Sequence, residues 1–173
     1  MLGRVREDTP HPHATAGGDP FDAARRGDLP ALCKHLDDGL PATACNDAGD
    51  SLLMLCAYHG SAEAVTTLLR RGADPDACNA KGQHPLTGAS YKGDRHVVQA
   101  LLEGGASCEG TLEAARSPLM YAAMYNHAPV VRLLLAHGAD PTRTDGKGKT
   151  ALDLAREMRA VYTIELLEDA AGG

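Results

Sequence analysis

The segment Gly146-Lys147-Gly148-Lys149-Thr150 is similar to the end of a phosphate-binding loop, in which glycine amides cradle a phosphate and a lysine neutralises it. The complete pattern requires a glycine five residues before Gly148, and that position is Arg143. Two further candidates are the pair Cys45 and Cys78, and the His11-Pro12-His13 cluster near the N-terminus. The cysteines lack the Cys-x-x-Cys spacing or Cys/His foursome of a zinc site. The histidines sit in a stretch of Pro, Thr, Gly and charge without helical or strand period, and are expected to be solvated. No Gly-x-Ser-x-Gly, His-Glu-x-x-His or spaced Cys/His arrangement points to hydrolytic chemistry. The reactive residue types are present, but not in patterns that react.

Composition narrows the classes. The 173 residues are 43% hydrophobic yet include no Trp and one Phe, so a core must be built from Leu, Val and Ala. Such a core suits close-packed helices. Seventeen basic against 23 acidic residues give a formal charge of −6, which disfavours indiscriminate nucleic-acid binding. No apolar run approaches the ~20 residues of a membrane span, and the first twenty residues hold no apolar signal region. Five cysteines at irregular spacing do not make a disulfide framework. The expectation is a cytoplasmic protein with reduced thiols and no cofactor or metal.

What must position these residues is a repeat of 33. Gly39, Gly72, Gly105 and Gly138 keep that spacing, as do Gly27, Gly60 and Gly93 with Asn126 in fourth place. Leu53, Leu86, Leu119 and Leu152 form another column, and Asp28, Ser61 and Asp94 a further one. The last three are N-cap residues, whose side-chain oxygens accept from the first amides of a helix. Leu32, Val65, Val98, Val131 and Ile164 follow them, then Leu36, Leu69, Leu102 and Leu135 four residues on, sharing one helical face. Gly39 and its equivalents fall just past that helix, where a left-handed residue ends it. Gly27 and its equivalents end a shorter first helix carrying Ala23, Cys56, Ala89, Ala122 and Ala155, small enough for two helices to approach closely. The phase also absorbs the chemical candidates. Gly148 is in register with Gly49 and Gly82, and Thr150 with Ser51 and Ser117. Cys45 and Cys78 lie one period apart, and stacked units ~8–10 Å apart exceed the ~7 Å reach of a disulfide.

The segments "SLLMLCAYHG", "HPLTGASYKG", "SPLMYAAMYN" and "TALDLAREMR", with "AVTTLLRRGAD" and "VVRLLLAHGAD", resemble ankyrin repeats, with their Thr-Pro-Leu-His-x-Ala-Ala…Gly signature. The resemblance spans about residues 20–168 and implies an all-α repeat solenoid of helix-turn-helix units joined by β-hairpin-like loops. The units are about 20–48, 49–81, 82–114, 115–147 and 148–168, preceded by a disordered tail over 1–19 and followed by a flexible end over 169–173. The family's histidine is replaced by Met54, Thr87, Met120 and Asp153, and Ala115 stands where the fourth hairpin glycine belongs. His35 and Glu168 replace column leucines in the outer units, as capping repeats require polar ends.

In such stacks the free positions lie at hairpin tips and at the end of each first helix, lining a concave face. The resemblance places there Arg25, Arg26, Tyr58, His59, Tyr91, Lys92, Met124 and Tyr125 from the helix ends. From the hairpins it places Asp47, Ala48, Asp50, Ala80, Lys81, Gln83, Glu113, Ala114, Arg116, Gly146, Lys147 and Lys149. Tyr and Met grouped on a surface anchor protein interfaces, although tyrosines also pack on neighbouring helix ends with wet hydroxyls. Seven basic residues outnumber Asp47, Asp50, Glu113 and Glu157. The implied function is a non-enzymatic module, monomeric by itself, that binds a protein partner with an acidic surface. Similar short proteins of this kind occur in bacteria. The competing reading is a ligand-binding or enzymatic pocket among His59, Lys92 and Tyr125. Nucleic-acid binding is disfavoured by the net charge and the scarcity of aromatics.

Overall fold

The computed structural model describes residues 18–110 and 116–171. The tail expected over 1–19 falls almost wholly outside the described residues, as do Glu113, Ala114 and Ala115 of the fourth hairpin. Five antiparallel helix pairs are described: α1 (Pro20–Arg26) with α2 (Leu29–Asp37), α3 (Leu52–Tyr58) with α4 (Ala62–Arg70), and α5 (Pro85–Lys92) with α6 (Arg95–Glu103). They continue as α7 (Pro118–Met124) with α8 (Ala128–Ala136), and α9 (Ala151–Glu157) with α10 (Val161–Ala171). The last helix thus runs into the segment expected to be a flexible end. The odd-numbered helices pack on one another in sequence, and the even-numbered helices form a second layer behind them. The result is an all-α repeat stack.

The columns make the core. Ala23, Cys56, Ala89, Ala122 and Ala155 are fully buried, so the two layers meet over side chains of one or two heavy atoms. Leu32, Val65, Val98 and Val131 are fully buried behind them, and Leu68, Leu101, Leu134 and Leu167 seal the second layer. The column Leu36, Leu69, Leu102 and Leu135 lies at the margin of this core, with Leu69 and Leu135 half-buried. Burial also pushes the Cys56 thiol up to about 12, which keeps it protonated and inert. Of the two polar substitutions at the ends, Glu168 is exposed and pairs with Arg156 at 2.7 Å, whereas His35 is buried.

The turn between the helices of each pair needs a left-handed residue. Gly27, Gly60 and Gly93 adopt it with φ of 65°, 85° and 75°, and so do Asn126 (60°) and Arg159 (56°) in the same column. A second reason for glycine is proximity to the next unit. A Cβ added to Gly93 would lie 2.4 Å from His127 Nδ1, and one on Gly60 would lie 3.1 Å from Asp94 Oδ2. Asp28 and Asp94 cap their helices as expected, accepting from Ala31 N and from His96 N and Val97 N. Ser61 stands at its cap position but makes no cap bond; its side chain packs over the Gly27 turn instead.

The loops carry no extended strands among the described residues, only an isolated bridge between Cys45 and Ser51. They are held by a recurring side-chain turn. Asn46 Oδ1 accepts from Ala48 N and Asp50 N, Asn79 Oδ1 from Lys81 N and Gln83 N, and Asp145 Oδ1 from Lys147 N and Lys149 N. In each loop the first residue's amide also donates to the carbonyl four residues on. The phosphate-loop look-alike is this turn, with Gly148 at φ 73° and Thr150 capping α9 through Asp153 N.

Candidate functional site

Each first helix ends where its stack neighbour's helix ends, so residues 33 apart become lateral neighbours on one surface. Tyr58 closes α3 and Tyr91 lies one residue before the end of α5. Their rings lie parallel, 7° apart in tilt, with centroids 6.5 Å apart. The row then leaves its sequence column. Met124 is half-buried and packs on the core, and Tyr125 takes the exposed place, its ring edge-on to Tyr91 at 4.7 Å. Tyr121, one turn earlier on α7, contacts the same Tyr91 ring at 6.3 Å. Tyr58, Tyr91 and Tyr125 remain 41%, 38% and 42% exposed despite their mutual packing.

Polar groups frame this row. His59 meets Tyr58 edge-on at 5.4 Å, and Lys92 Nζ stands 4.6 Å from the centroid of the Tyr58 ring. Such a cation–π contact at an exposed site is worth about 0.5–1 kcal/mol. His127 Nε2 lies 3.0 Å from the Tyr91 carbonyl oxygen, tying the third and fourth units together behind the row. Beneath Tyr58 and Tyr91 opens a cleft of about 460 Å³. It is lined by the apolar Met54, Leu55 and Gly88, by Tyr121, and by the polar Asp50, His59, Asn79, Gln83, His84 and Thr87.

His84 occupies a column that is otherwise Ser51, Ser117 and Thr150, all N-caps bonded to the amide three residues on. It makes no such bond. Its Nε2 instead lies 2.8 Å from Thr87 Oγ1, so the hydroxyl and imidazole of the family motif are present with their positions exchanged. Elsewhere the link is rebuilt with other chemistry: Thr150 bonds Asp153 Oδ2, and Ser117 N donates to Met120 Sδ. Burial pushes the His84 imidazole below its ordinary value, opposed by the charge of Asp76. Burial thus favours the neutral ring, and its buried Nδ1 has no hydrogen-bond partner among the described residues.

The hairpin residues divide into two groups. Asp50 accepts from Asn79 Nδ2 at 2.9 Å, Gln83 Oε1 accepts from the same amide, and Arg116 pairs with Asp145 at 3.4 Å. Lys149 pairs with Glu157, and Arg25 with Asp22. These side chains hold loops and helices together as well as facing outward. By contrast Arg26, Lys81, Lys92 and Lys147 are exposed and form no ion pair among the described residues, and Asp47 is the exposed acid among them. The pocket imagined among His59, Lys92 and Tyr125 is differently built. His59 lines the cleft, while Lys92 and Tyr125 stand outside its lining. The sequence reading passed over the column Leu55, Gly88 and Tyr121. Its positions precede Tyr58, Tyr91 and Met124 by three residues, the helical spacing that shares a face, and that spacing was the available signal.

Among the described residues no group of His, Cys, Asp and Glu could hold a metal ion, and no helix is long and apolar enough to cross a membrane. The five cysteines are free thiols. The fold defines a helical repeat protein of stacked helix pairs. The model of the family described as ankyrin repeats (3 copies) matches residues 21–111 and 89–171, and the chain belongs to this family. It is also similar to PA3287 of Pseudomonas aeruginosa, provisionally described as an ankyrin repeat protein, with 51% identity over 45 residues. The match spans 26% of this chain and 26% of that relative. Ankyrin repeats are in general protein–protein interaction modules.

Proposed function

We propose that this protein is a non-enzymatic interaction module that grips one protein partner on the face formed by its first helices and loop tips. The observation that carries this reading is the exposed aromatic row Tyr58, Tyr91 and Tyr125, continuous across three units. Tyrosine supplies apolar area at low entropic cost and a hydroxyl for the partner's polar groups. Met124, Gln83, His59 and Asp50 frame the contact. Arg26, Lys81, Lys92 and Lys147, together with Arg25, Arg116 and Lys149 at the edges, attract an acidic partner surface. Asp47 sets its register by repulsion. Association is therefore expected to slow as salt rises.

The test is capture of partners from a lysate of the native host by the wild type and by Tyr58→Ala/Tyr91→Ala. A stoichiometric protein retained by the wild type should bind the double variant at least tenfold more weakly, a loss of ~1.4 kcal/mol. Thermal unfolding of both proteins separates lost contact from lost fold. A folded double variant that binds normally, or a co-purifying small molecule in place of a protein, overturns the reading.

A further inference from the structure

Gly88 is a glycine without a backbone reason. It lies inside α5 and outside the left-handed region, where glycine weakens a helix relative to alanine. It has no steric reason either. A Cβ built there meets only Tyr58, at 3.5 and 3.9 Å, which is ordinary contact distance. Its column holds Leu55 before it, and Tyr121 and Leu154 after it. The missing side chain therefore leaves a notch in the cleft beside Tyr58, and Tyr91, Tyr121 and Leu55 line the same cleft.

We propose that this notch receives one apolar side chain from an extended, acidic segment of the partner protein. The proposal rests on the interaction reading above and specifies its partner. The walls of the notch are aromatic and aliphatic, so they favour a leucine, methionine or phenylalanine over a charged residue. The cleft of about 460 Å³ is larger than one such side chain and leaves room for the backbone on either side. His59 and Gln83, which also line the cleft, offer hydrogen-bonding groups to that backbone. The acidic character follows from the charges at the rim, since Asp50, the carboxylate among the lining residues, is already engaged by the Asn46 and Asn79 side-chain amides. Lys92 stands over Tyr58 at the rim, and Lys81 is exposed on the loop that supplies Gln83 to the cleft; neither is paired with a carboxylate among the described residues.

The experiment uses an array of short peptides of Asp, Glu and Ser with one varied central residue, read against the full chain. Peptides with central Leu, Met or Phe should bind, those with central Ala, Lys or Asp should bind at least tenfold more weakly, and salt should weaken all of them. Gly88→Leu fills the notch and should reduce binding of the Leu, Met and Phe peptides at least tenfold. Gly88→Ala should bind them more weakly than wild type while its thermal midpoint holds or rises, since alanine favours the helix. An array with no binding, or with no preference at the central position, overturns the proposal. So does a Gly88→Leu variant that stays folded and binds as wild type does. If that variant binds normally while Tyr58→Ala/Tyr91→Ala loses the natural partner, the notch is wrong and the interaction face stands. If neither variant loses the partner, both readings fall. A wild-type dimer that Gly88→Leu disperses would assign the notch to a second copy and also overturn the proposal.

Discussion

Where the second unit meets the third, the face is aromatic and open; where the fourth meets the fifth, the same columns carry ion pairs. At the first seam Tyr58 and Tyr91 lie side by side, and Gly88 leaves the cleft beneath them. At the second seam the column of Gly88 holds Leu154, buried, and the column of Tyr91 holds Glu157, paired with Lys149. Beside them Arg116 reaches Asp145. The same repeat scaffold thus supports two chemically different surfaces. One seam leaves tyrosine rings half-exposed. The other pairs its charges internally, with Met158 exposed in the column of Tyr125.

Both seams rest on one continuous core, and breaking the core should affect them equally. Leu101 is fully buried in the third unit. Leu101→Ala is expected to cost about 2–5 kcal/mol in urea unfolding, the range for a buried leucine truncation. An unchanged midpoint would mean that the face packed inward has been misidentified.

A smaller effect separates the seams. Asp145 is buried, yet it accepts from two loop amides and from Arg116. Burial opposes its ionisation, but the Lys149 and Lys147 amides and the Arg116 guanidinium outweigh it and hold the carboxyl below the ordinary range. Asp145→Ala should cost about 1–3 kcal/mol, because loop donors are left without an acceptor. Asp50→Ala, half-exposed at the open seam, should cost less, about 0.5–1 kcal/mol. Asp145→Asn restores the oxygen that Asn46 and Asn79 use in the other loops, and should recover most of the loss. The pH dependence carries the sign. A depressed carboxyl contributes stability above its unfolded value, about 3.9, and loses it as pH falls through the folded value. Wild-type stability should therefore drop more steeply than that of Asp145→Asn once pH falls below about 4. Parallel acid profiles would place the closed seam's stability elsewhere.

The fold was legible because stacking obliges every unit to put the same chemistry at the same point. Ala23, Cys56, Ala89, Ala122 and Ala155 show why: a larger residue at any one of them would separate the helix layers. The face was legible only in outline. Asp50, Gln83, Arg116 and Lys149 differ in type, and variation reads as freedom. In space, three of them bond a loop residue, Asn79 or Asp145, and Lys149 bonds a helix residue, Glu157, so their variation is compensated rather than free. The exchange of hydroxyl and imidazole between His84 and Thr87 was equally hidden, since the motif names residue types and not the bond between them. The notch at Gly88 needed depth, which a column of Leu, Gly, Tyr and Leu does not convey. Met124 shows the limit most simply. Its column is that of Tyr58 and Tyr91, yet the core takes it and Tyr125 completes the row.

The smallest expected effects sharpen the comparison at the closed seam itself, through its two left-handed residues that are not glycine. Arg159 has φ 56°, which crowds its Cβ against the following carbonyl oxygen, and its exposed side chain makes no compensating bond among the described residues. A left-handed residue with a Cβ costs roughly 1–2 kcal/mol, and asparagine tolerates the conformation better than arginine. Arg159→Gly removes that cost while raising the entropy of the unfolded chain, for a net gain of about 0.5–1 kcal/mol. Asn126 has φ 60°, but its Oδ1 accepts from Tyr162 N at 3.1 Å and Thr163 N at 3.3 Å, joining the fourth unit to the fifth. Asn126→Gly loses both bonds and should destabilise by about 0.5–1 kcal/mol. The two substitutions make the same chemical change in one column and should move the urea midpoint in opposite directions. Movement in the same direction would mean that Asn126 holds only its own turn, and that the fourth and fifth units are joined by packing and by the Thr163 Oγ1 bond to the Ala123 carbonyl.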